Sequence, residues 1–296
     1  VSVKKLLFLA DTPSWVFDSH RREISKRLTP EYETQCVYRD IGFPKDPKFY
    51  DAFDCVYVMD TRLFERNPPV PRDKTCVGIR CEFSWKNEGA DKHYARYVKD
   101  RASVFHVVCR AHQDEFAKVD PSVLLVQHGI DLRVFNVGER IWRDSGLVVG
   151  VAGNPRSGGD KGFDVVKRAC EVAGCELKYA EKLSRDEMAD FYRSLDVLCI
   201  ASASEGQNNP TMEAMACGTP VVSTRVGAAA EMVSEEFLVD RDAKAFADVL
   251  ADLKMDDSSR REFIGRQVSA KMVSWSWDVK VESFKYMFET TMNGKK

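Results

Sequence analysis

At 296 residues, 44% hydrophobic and 30% charged, with a net charge of −2, the sequence has the make-up of a soluble globular protein of two ordinary domains. The balanced charge gives no overall pull toward nucleic acid or an anionic membrane, and no apolar run is long enough to span a bilayer. Nine cysteines form no CxxC pair and have no zinc-ligand spacing; several, such as Cys55, Cys109 and Cys199, sit in apolar runs as small hydrophobes, which points to a reducing, cytoplasmic setting.

In chain order, strands are predicted over 5–10, 34–38, 55–59, 75–79, 104–109 and 123–127, and helices over 19–28, 91–101 and 111–119. Such alternation argues a parallel α/β sheet. The run 3–10 is too short for a signal-peptide core and is soon followed by Asp11. Two prolines make 40–51 a loop, and three more over 67–71 end any helix begun at Thr61. The first strand leads into Asp11-Thr12-Pro13-Ser14-Trp15, without the glycines of a dinucleotide fingerprint. In doubly wound sheets the crevice lies at the strands' C-terminal ends, so Asp11, Ser14 and Trp15, with Arg80 and Glu82 after the fourth strand, are candidate ligand-contacting residues of the first half. Core or interdomain packing is the competing reading for Trp15, Phe17 and Trp85. Arg21, Arg22, Lys26 and Arg27 form a basic run that reads first as a solvated helix face. The alternative is attraction of a phosphate-bearing acceptor or, with Trp15 and Phe17, a weak peripheral membrane contact.

A second α/β unit opens with a strand over 147–152, a Gly-rich loop and a helix over 163–173. The loop suits an anion but is neither a P-loop nor a Rossmann fingerprint. It carries Arg156 and Lys161, a guanidinium able to grip phosphate in bidentate fashion and a mobile point charge. A strand over 176–179 and a helix over 185–194 follow. Next comes 197–222, VLCIASASEGQNNPTMEAMACGTPVV: buried strand, small polar loop, Pro210 as first helical residue, helix to Ala216, and a Gly218-Thr219-Pro220 stop. Glu205 lies in that loop and Glu213 a turn into the helix. Taken singly, each glutamate reads as an ordinary loop or helix acid. Later elements are strands over 221–224 and 237–239, then helices over 243–253, 260–273 and 277–292.

The string Glu205-Gly206, Pro210 and Glu213-Ala214-Met215-Ala216-Cys217-Gly218-Thr219-Pro220 closely resembles the donor-site signature of retaining GT-B glycosyltransferases, most of all glycosyltransferase family 4. Arg156 and Lys161 match that family's Arg-x4-Lys-Gly segment. Gln127-His128-Gly129-Ile130-Asp131 with Phe135 resembles the end of its first domain, and Ser274-Trp275-Ser276-Trp277 the start of its last helix. Over the first half only the order of strands and helices agrees, which is fold-level analogy.

The resemblance implies two Rossmann-like doubly wound domains facing across a cleft: 1–137 on the acceptor side (short for the family), 138–275 for the nucleotide sugar, and a helix over 276–296 crossing back. It implies a retaining, metal-independent transferase with no cofactor. The partners are a UDP- or GDP-linked sugar and an acceptor that is a polysaccharide, a lipid-linked molecule, a protein, a small molecule or a nucleic acid. Arg156 and Lys161 would stabilise the leaving diphosphate. Glu205 would orient the donor sugar, with an electrostatic role at the anomeric carbon. Glu213 would hold the ribose, and main-chain groups of Gly206, Gln207, Asn208 and Asn209 would cradle sugar and phosphate. Lys182 and Leu183 fall where the family lodges the nucleobase. His128 stands where asparagine is usual; Gln207 and Asn209 add polarity beside the sugar. For the family's donor-facing histidine, Arg80, Glu82 and His93 lie nearest. Two rival readings remain, a sugar-nucleotide epimerase or related GT-B-like enzyme and a non-catalytic nucleotide-sugar-binding subunit.

Overall fold

A computed structural model describes residues 2–153 and 159–294, and its strands form where the sequence concentrates short apolar runs. In the first half these are β1 (Lys4–Ala10), β2 (Tyr32–Tyr38), β3 (Cys55–Val58), β4 (Thr75–Ile79), β5 (Val104–Val107) and β6 (Leu124–Leu125). Between them lie α1 (Val16–Leu28), α2 (Pro47–Asp51), α3 (Ala90–Tyr97) and α4 (Arg110–Ala117). The strands make a six-stranded parallel sheet in the order β2-β1-β3-β4-β5-β6, reversing direction of winding beside β1 and β3. That reversal defines the doubly wound topology, whose ligand crevice lies at the strands' C-terminal ends.

The second half contributes β7 (Val148–Ala152), α5 (Phe163–Ala173), β8 (Glu176–Ala180), α6 (Arg185–Arg193), β9 (Val197–Ile200), α7 (Asn209–Ala216), β10 (Val221–Ser223), α8 (Ala229–Met232), α9 (Ala243–Lys254) and α10 (Ser258–Lys271). Its sheet, order β10-β9-β7-β8, is parallel throughout the described residues. The last helix is α11 (Trp277–Asn293).

The chain divides into two compact units, Val1–Gly129 with Trp277–Lys296, and Ile130–Ser276. The first unit ends at Gly129, ahead of the expected 137/138 boundary, for a local reason. The Ile130 amide donates to the carbonyl of Trp275 at 2.9 Å, and Ile130 bridges Ser276 in parallel. Phe135 is buried beside Tyr192 of the same unit. Although it follows the second unit in sequence, α11 packs in the first. It buries Trp277, Val281, Phe284, Met287 and Phe288 along one face. Phe288 stacks edge-on against Phe8 and Tyr57, so α11 closes one side of the first core.

Three local expectations change. Residues 47–51, expected as loop, form α2, because Asp46 accepts from the Lys48 amide and Pro47 supplies a preset first helical position. The expected strand over 237–239 reduces to a single bridge between Leu238 and Ser223, beside a 3-10 turn. Pro210 is the second residue of α7, after Asn209. No helix among the described residues is long and apolar enough to cross a membrane.

Candidate functional site

In the second unit, β9 ends at Ile200 and the chain turns through a loop into α7. Asn208 caps that helix: its side-chain oxygen accepts from the Thr211 amide at 3.1 Å. The loop is pinned on both sides. Thr224 donates from its hydroxyl to the Ser202 carbonyl at 2.6 Å, and the Ala203 amide donates to the Asp160 carbonyl at 2.7 Å. That second bond ties the loop to the 159–161 turn carrying Lys161.

The two loops bring Lys161 and Glu205 together. The Lys161 ammonium lies 2.5 Å from Oε1 of Glu205, and the Ser202 hydroxyl donates to the same oxygen at 2.8 Å. Oε2 accepts nothing among the described residues, so one carboxylate oxygen is fixed and the other presented. Lys161, Glu205, Ser202, Gln207, Asn208, Asn209 and Pro210 line a cavity of about 240 Å³ with Phe163 and the end of β7. One wall is the N-terminus of α7, whose unpaired amides and dipole favour an anion. Arg156 lies outside the described residues.

Two glycines make this packing feasible. A Cβ on Gly162 would stand 2.3 Å from the Ala201 carbonyl oxygen, and one on Gly227 only 1.9 Å from that of Gly206. Both have positive φ, 63° and 51°. The Ala228 amide then donates to the Gly206 carbonyl at 2.8 Å, fixing the backbone directly after Glu205. Gly227→Ala therefore adds a clash to a left-handed strain of about 1–3 kcal/mol. The clash falls on the Gly206 carbonyl and would displace the 205–209 loop, so nucleotide affinity is expected to fall roughly ten- to a hundredfold in a calorimetric titration. Unchanged affinity would mean the loop plays no part in binding.

Glu213 sits in the second turn of α7 and is partly buried. The Tyr192 hydroxyl donates to its Oε2 at 2.9 Å, and Oε1 accepts nothing among the described residues. Burial pushes this carboxyl above the usual range, opposed by the Tyr192 bond and the charge of Arg185. Tyr192 and Ser202 were not singled out in the sequence. A Ser-x-x-Glu spacing was there to be read for Ser202, whereas Tyr192 lies on a different helix from its partner.

The remaining candidates separate. Lys182, in a left-handed conformation, and Leu183 are exposed in the turn before α6, where Ser184 and Glu187 form a capping box; neither lines the cavity. In the first unit, Asp11, Ser14 and Trp15 follow β1, and Arg80 and Glu82 follow β4, all at the C-terminal edge of the sheet. Asp11 has a buried Oδ1 without a partner among the described residues, and Trp15 is 65% exposed. Arg80 is buried, with one guanidinium nitrogen 2.7 Å from Nδ1 of His20 and its carbon 4.8 Å over the Phe17 ring. Glu82 pairs with Lys86 at 3.1 Å. His93 is sealed in the core between Glu88 and Thr61, at 2.8 and 3.0 Å, so it presents no nitrogen to a ligand. Burial also pushes His93 below the ordinary histidine value. Trp85 is buried against Phe116 and His112. The basic run on α1 is largely neutralised: Arg21 and Arg22 pair with Asp18, and Arg27 pairs with Glu23 and Asp278. Lys26 is exposed and makes no ion pair among the described residues.

Residues 124–256 match the family model described as glycosyl transferases group 1. A D-inositol 3-phosphate glycosyltransferase of Kineococcus radiotolerans is 28% identical over 159 residues, covering 49% of this chain and 36% of the relative. One from Paenarthrobacter aurescens is 40% identical over 95 residues, covering 31% of this chain and 23% of the relative. The chain thus spans little more than a third of these relatives at most. Among solved structures, Anabaena HepE in complex with UDP superposes with a TM-score of 0.73 at 14% identity, covering 97% of this chain and all of that one. HepE in complex with UDP-glucose gives 0.72 at 16% identity, covering 98% and 99%. TarM of S. aureus gives 0.64 at 12%, covering 79% and 56%. The fold is the GT-B fold, two Rossmann-like units built on parallel sheets.

Proposed function

We propose, from the match of residues 124–256 to the family model for glycosyl transferases group 1, that the chain is a retaining, metal-independent glycosyltransferase. It moves a sugar from a nucleoside-diphosphate sugar to an acceptor hydroxyl. The observation that carries this reading is the convergence of Lys161, Glu205 and the N-terminus of α7 on one cavity. A diphosphate placed there meets two sources of positive charge, the ammonium and the helix end. As the bond from the anomeric carbon to the diphosphate oxygen breaks, negative charge grows on the leaving group. Cations at that point stabilise the transition state more than the ground state. This is the task a divalent ion would otherwise perform, and it is why the reading is metal-independent. Arg156 is assigned the same task from its matching position in the motif.

Glu205 turns its Oε2 toward the sugar and orients hydroxyls beside the anomeric carbon. Glu213 offers Oε1 to the ribose. Main-chain groups of Gly206, Gln207, Asn208 and Asn209 complete the cradle, with the 182–183 turn beside the nucleobase. Asp11, Ser14, Trp15, Arg80 and Glu82 serve the acceptor. Buried thiols such as Cys55 and Cys199 act as packing groups, in keeping with a reducing cytoplasm.

UDP-sugars are the first donors to test, because HepE holds UDP and UDP-glucose. The relatives' acceptor is not carried over, since their match covers half of this chain or less. Release of nucleoside diphosphate from a sugar-nucleotide panel, with the transferred sugar keeping its anomeric configuration, supports the reading. An isomerised sugar nucleotide with no diphosphate released overturns it.

The raised Glu213 carboxyl adds a pH signature. An ionised carboxylate is the stronger acceptor for ribose hydroxyls. Nucleotide affinity should therefore decline as pH falls through a value above the ordinary 4.5. Stability runs the other way. The native state holds this proton longer than the unfolded chain, so ionising Glu213 lowers stability as pH rises from 4.5 through the raised native value. Glu213→Gln should remove its part of both trends; affinity profiles of wild type and variant that coincide would exclude the ribose role.

A further inference from the structure

Ribose recognition is usually credited to the carboxylate that touches the sugar, but a carboxylate selects only when its orientation is fixed. We propose that Tyr192 is a positioning residue that makes Glu213 selective for ribose over 2′-deoxyribose, by occupying Oε2 so that Oε1 alone faces the nucleotide. The inference rests on the reading of Glu213 as the ribose partner.

Three observations support it. Tyr192 is fully buried, in the last turn of α6, and its hydroxyl makes the single hydrogen bond to the Glu213 carboxylate among the described residues, at 2.9 Å. Its backbone is also locked: its carbonyl accepts from the Thr219 hydroxyl at 2.7 Å and from Arg140 at 3.3 Å. Phe135 and Phe191 flank its ring at 6.3 and 5.7 Å between centroids. The donor is therefore held from both ends, by main chain and by packing, and aimed across to α7.

Other groups do not replace it. Arg185, on the same helix, acts on Glu213 only through its field; its guanidinium reaches Asp131 at 3.4 Å and lies over the Phe135 ring. Cys217, one turn along α7, carries a thiol pushed up by burial and stays neutral. Tyr192 itself is held well above its ordinary value by burial and by the Glu213 charge, so its hydroxyl remains a donor.

The chemistry that follows is a selectivity filter. With Oε2 occupied and the side chain unable to turn, Oε1 has one partner to gain, a ribose hydroxyl. A deoxynucleotide that covers this oxygen leaves it unpaired, the situation in which polar sites reject analogues most strongly. Without the tyrosine hydroxyl, the carboxyl can rotate, take up a proton or admit water. Both sugars then lose their difference.

The test is calorimetric titration of wild type, Tyr192→Phe, Glu213→Gln and the double variant with UDP and with 2′-deoxy-UDP. GDP and 2′-deoxy-GDP form a second pair, and melting temperatures establish that the variants fold. Wild type is expected to favour the ribonucleotide by about tenfold or more. In Tyr192→Phe the ratio should collapse toward one, chiefly through weaker ribonucleotide binding. The double variant should lose no more than Glu213→Gln alone. Equal weakening of both nucleotides in Tyr192→Phe, with the ratio kept, would reduce Tyr192 to a structural role and overturn the inference. A wild-type ratio near one would instead overturn the ribose role of Glu213. Failure of wild type to bind either ribonucleotide would remove the donor site and this inference with it.

Discussion

Lys161→Ala should lower sugar transfer on the order of a hundredfold or more, with most of the loss in kcat. The ammonium is half-exposed at the cavity wall, 2.5 Å from Glu205. Under the proposed function it would meet a diphosphate whose charge increases during bond cleavage, so its contribution would be larger in the transition state than on binding. A lysine used only to bind phosphate would show the opposite pattern, a raised KM with kcat kept. Lys161→Arg discriminates further. It keeps the charge but replaces a compact ammonium with a planar fork, and the loop bonded through Asp160 to Ala203 leaves it little room to adjust. Partial recovery by arginine would indicate that charge alone suffices; none would indicate that position also matters. Near-normal transfer by Lys161→Ala would sink the assignment of the cavity.

The second unit was legible because the segments that line its cavity are short and locally determined. A buried strand, a small polar loop, a proline-started helix and a Gly-Thr-Pro stop each have a local physical cause, and together they place Glu205 and Glu213 without any knowledge of tertiary contacts. Asn208 is extended and caps α7, a position that suits its short side-chain oxygen. The first unit was less legible where burial depends on distant partners. His93 looks available in the sequence, but its two bonds go to Glu88 nearby and to Thr61 on another element. The basic run on α1 is a mixed case. Asp18 and Glu23 stand three or four residues before the arginines they pair with, a spacing visible in the sequence. The pairing of Arg27 with Asp278 comes from α11 and has no local signal. The Tyr192–Glu213 bond is hidden in the same way, since it joins two helices separated by β9.

Glu205→Ala is expected to be at least as damaging as the lysine variant, and Glu205→Gln shows why. Oε1 is committed to Lys161 and Ser202, which leaves Oε2 for the substrate. If Glu205 only orients sugar hydroxyls, the glutamine amide oxygen can still accept from one, and Glu205→Gln should retain most of the kcat while KM rises. If the negative charge also stabilises the positive character that develops at the anomeric carbon, the amide cannot replace it. Both variants should then lose on the order of a hundredfold in kcat. The second result is the expected one. A carboxylate anchored on one oxygen by a buried serine and an ammonium is oriented before substrate arrives, and preorganised charge is what electrostatic catalysis requires. Ser202→Ala gives an intermediate case, because it removes one anchor but keeps the charge: its loss should be smaller than that of Glu205→Gln. Steady-state kcat and KM for these variants, with the same donor, decide between the two roles. Retention of wild-type kcat by Glu205→Gln would confine Glu205 to orienting the sugar.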